Sequence, residues 1–287
     1  MSAVDEDREA AAVRVGVALL PADEAGALEP FYADLLAGME ERLDGAGASV
    51  VLVVVPEVAD QVRAYRRWAA DGLVDAVLVS DLVDADPRGA ACAEAGLPAV
   101  VLGGEPGSGW VVDYDNAGAM RTAVGFLVGL GHRRLGRVSG PQRLRHTRAR
   151  GEAFRSALDE AGAEGTCVEG DYGTGSGRAG TAALLDAAAP PTAIVYDNDL
   201  MALGGLEEAA RRGLRVPEDL SLLAWDDSAP SRTAHPPLSV VSRDVHELGA
   251  LTAEVLLGAV AGEPPQARRA PGARVVARGS TAPPPPA

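Results

Sequence analysis

Short runs of β-branched and apolar residues alternate along the chain with longer stretches in which apolar positions recur every three or four residues. This pattern predicts parallel strands joined by crossover helices, hence an α/β fold. Strands are expected over residues 13–20, 49–55 (SVVLVVV), 74–80 (VDAVLVS), 97–102 and 110–114, with helices over 30–44, 60–70 and 88–95. Pro30 stands in the first turn of its helix, where a missing N–H costs nothing, and Gly45 and Gly47 stop that helix. After a helix over 116–130 the pattern restarts, with strands at 135–138, 166–169, 193–196 and 220–225 and helices over 148–161, 177–188 and 199–212. A helix over 244–260, a strand at 274–277 and a Pro-rich end at 282–287, expected to be disordered, complete the chain. Two open lobes of one kind follow, each a parallel sheet flanked by helices. No Ser/Gly-rich or charged linker separates them, so short crossing segments should join them, and the cleft between is the expected ligand site.

Composition narrows the function. With 47% hydrophobic and 23% charged residues over 287 positions, the chain can bury a full core. Asp and Glu outnumber Lys and Arg by 41 to 26, a net charge of -15 that disfavours autonomous DNA binding. Cys92 and Cys167 make neither a disulfide framework nor a four-thiolate site. Asp5, Glu6, Asp7 and Glu9 stand where a secretory signal needs basic and apolar residues, and no run of 18 apolar residues follows. A cytoplasmic protein with no membrane segment is expected.

Catalytic motifs are weak or missing. Gly175-Ser-Gly177-Arg-Ala-Gly180, with Asp197 some way beyond, matches a dinucleotide-binding spacing, but it falls mid-chain and after a long turn, so a Gly-rich helix entry explains it better. There is no G-x-S-x-G, and His132, His146, His235 and His246 lack metal-binding spacing. No catalytic residue, metal or cofactor is therefore expected. His132, after Gly131, reads as a cation at a helix C-terminus. Between Asn116 and Gly151 there is no acidic residue, while eight arginines, among them Arg137, Arg148 and Arg150, create a local positive field suited to a solvated face, a subunit contact or an anchor for a polar ligand. Asp-rich turns end the second lobe's strands, at Tyr196-Asp-Asn-Asp199 and Trp225-Asp-Asp227. Asp199 reads as a helix N-cap, whereas Asn198 and Asp226 have no equally good local use and are placed to read hydroxyl groups.

Several of these segments resemble the LacI/GalR family of bacterial transcription regulators. Pro217-Glu-Asp-Leu-Ser-Leu-Leu-Ala-Trp-Asp226-Asp227, with His235-Pro-Pro-Leu-Ser-Val-Val after it, is similar to that family's "VPEDVSVVGFDD … PPLTTV". Asn198-Asp-Leu-Met-Ala-Leu-Gly-Gly-Leu resembles "NDLMALGAL", Gly129-Leu-Gly-His-Arg-Arg-Leu-Gly resembles "LGHRRIA", and Ser139-Gly-Pro with Arg148-x-x-Gly151 resembles "GP … RxxGF". Pro30-Phe31-Tyr32 stands at the "NPFF" position and Arg278-Gly-Ser-Thr281 at the closing "RxST", so the resemblance spans about residues 13–281.

The resemblance implies a two-lobed, periplasmic-binding-protein-like fold of type I with three crossovers. It divides the chain into an acidic, disordered N-terminus (1–12), a first lobe (13–130 and 245–272), a second lobe (131–244 and 273–281) and a Pro-rich tail (282–287). It further implies that Arg148 grips a small polar effector, that Asn198 and Asp226 read its hydroxyls, that Tyr172 stacks on it, and that Phe31 and Tyr32 form the first-lobe wall. Homodimerisation and control of DNA also follow from it, the latter through a helix-turn-helix absent before residue 13 or through a partner chain. In this alignment Glu152 replaces the aromatic after Gly151, and Trp225 replaces Phe or Tyr. The competing expectations are a cytoplasmic sugar-binding protein with no role at DNA and an α/β enzyme using a nucleotide.

Overall fold

The computed structural model of the chain describes residues 12–21, 28–105 and 107–285. Residues 1–11, which carry most of the expected disordered N-terminus, lie outside the described residues. Along the first lobe run β1 (Arg14–Leu19), α1 (Pro30–Asp44), β2 (Ser49–Val54), α2 (Val58–Asp71), β3 (Ala76–Val79), α3 (Pro87–Glu94), β4 (Ala99–Leu102) and β5 (Trp110–Asp113). The second lobe follows as α4 (Asn116–Gly129), β6 (Arg134–Ser139), α5 (Arg145–Ala161), β7 (Glu164–Glu169), α6 (Thr174–Leu185), β8 (Ala193–Tyr196), α7 (Asp199–Arg211), β9 (Ser221–Trp225), α8 (Ala229–Thr233) and β10 (Ser239–Ser242). The chain then returns through α9 (Val245–Val260) and β11 (Ala267–Arg269) before β12 (Arg274–Val276).

Two six-stranded sheets result, in the orders β11-β5-β4-β3-β1-β2 and β12-β10-β9-β8-β6-β7. All pairings are parallel except β10 with β12. Central strands such as β3 and β8 are buried at every position, which is why they read as unbroken apolar runs. Helices cover both faces of each sheet. In the first lobe Leu35, Met39 and Leu256 pack on one side and Tyr65, Trp68 and Cys92 on the other. The second lobe has Phe154, Leu127 and Trp225 on one side and Met201, Leu184 and Tyr196 on the other. Each such leucine, fully withdrawn from water, contributes about 1.5–3 kcal/mol.

Three segments carry the chain between lobes: after β5, before α9, and between β11 and β12. The first two are built alike. Asp115 and Asp244 both hold left-handed backbones, with φ of 42° and 50°. Each carboxylate then caps the helix it opens, accepting from Gly118 N at 2.8 Å and Glu247 N at 3.2 Å. Aspartate tolerates this conformation because its side chain bonds the local backbone.

The structure moves one element relative to expectation. Helix α4 was expected in the first lobe, but it packs on α5, β10 and β12 and so belongs to the second. The first crossing therefore falls at Tyr114 and Asp115. The tail also differs from the disorder expected of it. His132, buried rather than facing solvent as a cation, bonds Thr192 Oγ1 at 2.8 Å and the Ala282 carbonyl at 2.9 Å, and Ser221 Oγ donates to the same carbonyl. Burial holds the His132 imidazole below its ordinary pKa, which suits a neutral clip. The last two residues lie outside the described set.

Candidate functional site

The carboxyl ends of both sheets face each other across the crossings, and polar groups converge there from both lobes. Glu29, Phe31 and Tyr32 come from the start of α1, and Asp81 from the turn after β3. Opposite them, α5 supplies His146 and Arg150, the turn after β8 supplies Asp197 and Asn198, and Tyr172 and Asp226 stand in left-handed turns with φ of 75° and 66°. Tyr114 and Arg243, from the first two crossings, make the floor. The enclosed space is about 30 Å³. A chamber of about 440 Å³ adjoins it at His146, lined by Asp84, Asp113, Arg145 and Arg148. The inner cavity is the better candidate despite its size, because buried, oriented polar groups meet there, while the outer chamber is edged by exposed side chains.

Each polar group is fixed by its neighbours. Tyr32 donates to Asp81 Oδ2 at 2.6 Å and pairs with Ser80 Oγ at 2.9 Å. The Tyr172 hydroxyl meets His146 Nε2 at 2.7 Å and Thr147 Oγ1 at 3.1 Å. Asn198 caps α7 by accepting from Met201 N at 2.9 Å, and its Nδ2 donates to the Tyr172 carbonyl at 2.8 Å and across the cleft to Glu29 at 3.3 Å. Arg150 donates to Asn116 Oδ1 at 2.8 Å and the Asp197 carbonyl at 2.9 Å, with its guanidinium 4.2 Å over the Trp225 ring. Arg137 grips Asp197 at 2.9 and 2.6 Å, an ion pair buried below the cavity. Asp226 is gripped the same way by Arg243, at 2.8 and 2.6 Å.

Burial sets the protonation of the cleft. It pushes the Glu29 carboxyl up to about 8, and the charge of Asp81 adds to the effect, so Glu29 is largely protonated at neutral pH. Burial likewise raises Asp81. It drives His146 well below its ordinary value, reinforced by the Arg150 charge, so this imidazole is neutral. Asp197 is the contrast: burial works against its charge, yet Arg137 and then Arg150 hold it below the usual carboxylate range.

Of the residues expected at the site, Phe31, Tyr32, Tyr172, Asn198 and Asp226 line the inner cavity. Arg148 does not. Its side chain is 34% exposed, and it donates to the Gln142 carbonyl at 2.8 Å and to Asp84 across the lobes at 2.5 Å. Arg150, two residues on, points inward and is 3% exposed. The correction is one of register. Phe154 is the buried aromatic of this helix, so Arg150-x-x-Ala153-Phe154 is the segment equivalent to "RxxGF", and the apparent mismatch at Glu152 disappears. Asp199 is not the N-cap expected; that role falls to Asn198, while Asp199 accepts from Ser228 Oγ. Glu29, Asp81, Tyr114, His146 and Arg243 were missed, since only the folded crossings and turns bring them together. The Gly175–Gly180 motif lies inside α6, where a Cβ on Gly177 would meet the Met201 carbonyl oxygen at 2.1 Å. Gly177 and Gly180 serve packing, against Met201 and Val138, and no loop is present to wrap a phosphate. Among the described residues no cluster of three or more His, Cys, Asp or Glu side chains is arranged for a metal, and no helix is long and apolar enough to cross a membrane.

Two sheets with a polar cleft at their facing carboxyl ends, tied by three crossings, define a ligand-binding protein of the periplasmic-binding-protein-like class, and residues 124–281 match the family described as periplasmic binding protein-like domain. The HTH-type transcriptional regulator CelR of Thermobifida fusca is 35% identical over 243 residues, covering 82% of this chain and 71% of that protein. The crystal structure of a LacI family transcriptional regulator from Bifidobacterium animalis subsp. lactis matches with a TM-score of 0.84 at 34% identity, over 94% of this chain and 98% of that one. A CelR–cellobiose complex matches with a TM-score of 0.84 at 31% identity, over 94% and 85% of the two chains. The chain belongs to the LacI/GalR family and is a ligand-sensing core of that kind. Its relatives are transcriptional regulators, not enzymes.

Proposed function

We propose that this chain binds a small hydroxylated effector, a sugar or a nucleoside-like molecule, in the inner cleft, and that movement of the lobes on the effector is the regulatory output. The observation that carries this is the convergence of buried polar groups from both lobes, bridged by the Asn198–Glu29 contact, around aromatic faces. The amides, carboxyls and guanidiniums read hydroxyls, and Phe31, Tyr114 and Tyr172 cover apolar ring faces. The cellobiose complex of a relative favours a sugar. Arg150, in place of Arg148, takes the gripping role.

The output reaches DNA through a helix-turn-helix on the same polypeptide or on a partner chain, in the cytoplasm. The working unit is a homodimer. On edge strand β2, Leu52 and Val54 are 40% and 43% exposed, apolar surface suited to a subunit contact. An effector that prefers one lobe arrangement shifts the spacing of two DNA readers by its differential affinity alone.

Melting the chain against glucose, cellobiose, maltose, ribose, adenosine, cytidine and NAD tests the reading. A true effector at 100 times its Kd stabilises the fold by about 2.7 kcal/mol. Shifts with sugars or nucleosides are expected; a shift with NAD alone, or with none, overturns the proposal.

A further inference from the structure

Two contacts close the inner cleft from lobe to lobe, and a first-lobe carboxyl stands in each. The Asn198 amide donates to Glu29 Oε2 at 3.3 Å, and His146 Nδ1 lies 3.9 Å from Asp81 Oδ1. Neither carboxyl meets a cation there. Asn198 offers Glu29 only its N–H group, since its oxygen already accepts from Met201 N. His146 spends Nε2 on the Tyr172 hydroxyl and is neutral.

The charged groups that face Glu29 are negative. Asp81 comes from the turn after β3, Asp199 from the start of α7 and Asp226 from the turn after β9, with the Tyr32 and Tyr172 hydroxyls beside them. The nearby cations are spent elsewhere, Arg243 on Asp226 and Arg137 and Arg150 on Asp197. Closing therefore brings a carboxyl with no counter-ion towards two carboxyls of the opposite lobe and strips it of water. A proton removes that cost, and parting the lobes removes the need for the proton.

We propose that closure of the lobes takes up a proton at Glu29, so that the closed arrangement gives way to an open one as pH rises and the sensor reads pH together with its effector. This rests on the reading of lobe movement as the output and deepens it. Burial in the closed cleft holds the Glu29 carboxyl at about 8, against an ordinary 4.5 in water. A carboxyl raised by closure favours the closed form fully below its open value and loses that contribution as pH rises through the closed one. Within that window each pH unit shifts the ratio of closed to open by up to about tenfold. His146 has the opposite sign: neutral in the closed cleft, it releases a proton on closing and favours closure as pH rises through the ordinary histidine range. Above about pH 7 that contribution is complete, which isolates Glu29.

The test is small-angle X-ray scattering of the ligand-free wild type, Glu29→Gln and Asp81→Asn between about pH 7 and 8.5, where an ordinary histidine no longer titrates. Forward scattering reports any change of oligomeric state, and melting checks each fold. The radius of gyration of the wild type should rise across this range, while Glu29→Gln, neutral at every pH, should stay compact. Asp81→Asn removes the foremost negative charge on Glu29 and should bring the end of the rise to lower pH, a result that stands by itself if Glu29→Gln does not fold. A constant radius in the wild type overturns the proposal, as does an equal rise in Glu29→Gln or an end point unmoved in Asp81→Asn. No effector is added, so failure here leaves the effector reading standing, and failure of the sugar and nucleoside screen leaves this result standing in turn.

Discussion

Arg148 and Arg150 carry the same charge two residues apart, and the turn of α5 gives them opposite fates: one grips Asp84 at the rim, the other is buried over Trp225. Arg150→Ala is therefore expected to weaken sugar binding about 100-fold, while Arg148→Ala keeps it within about threefold, since only the first removes a buried charge-assisted donor. Isothermal titration of the two variants decides it. The sequence offered the clue in Phe154; aligning the motif on Gly151 instead displaced the arginine by two positions. Nothing local marks Arg243, which reaches the cleft only because the chain crosses back towards the first lobe before α9. A second expectation concerns Glu29. The unfolded chain ionises this carboxyl near 4.5, while the fold keeps its proton up to about 8, so folding takes up a proton within that window and stability falls as pH rises through it. The slope is at most about 1.4 kcal/mol per pH unit. Melting between about pH 7 and 8, above the ordinary histidine range, should show this decline, and Glu29→Gln should flatten it. An unchanged slope would assign the proton elsewhere.

At the scale of elements, two helix pairs touch backbone to backbone. A Cβ on Gly249 of α9 would come within 2.1 Å of the Leu35 carbonyl oxygen of α1, and one on Gly204 of α7 within 2.0 Å of the Thr174 carbonyl oxygen of α6. Gly175, in the same glycine-rich stretch, has nothing within 4 Å of a Cβ. Gly177→Ala should accordingly destabilise by about 1–3 kcal/mol through overpacking, and Gly175→Ala should stabilise by up to about 1 kcal/mol through helix propensity. Urea denaturation of the pair measures this, and equal effects would refute the packing account. The central strands were legible because parallel strands covered on both faces carry little but apolar residues. Strand β11, Ala267–Arg269, was not: it is exposed throughout, sits at a sheet edge and has no periodicity to read. The lobe of α4 was equally hidden, since its apolar stripe suits either sheet and only contacts with β10 and β12 decide.

Across the whole molecule, the lobes meet on one side where Leu82–Asp84 lies against Leu144–Arg148, through the Val83–Leu144 bridge, the Arg145 N–H on the Leu82 carbonyl at 2.9 Å, and Asp84 with Arg148. A cavity of about 30 Å³ admits only a water or two. On the proposed reading, a sugar enters only when the lobes part. Asp84→Ala should speed sugar association up to about fivefold, the most an exposed ion pair is worth, and stopped-flow fluorescence of Trp225, which lies under the cleft residue Arg150, reads it; an unchanged rate would place the barrier elsewhere. The two-lobed plan was visible in the sequence because the strand–helix pattern restarts, but the conformation of the cleft was not, as it depends on contacts between residues far apart in the chain. The return of the chain through α9, β11 and β12 has a further effect on how the halves can be taken apart. Because adjacent strands near the C-terminal end complete opposite sheets, no single proteolytic cut releases either half as an intact piece, and a truncation before β11 strips an edge from both at once.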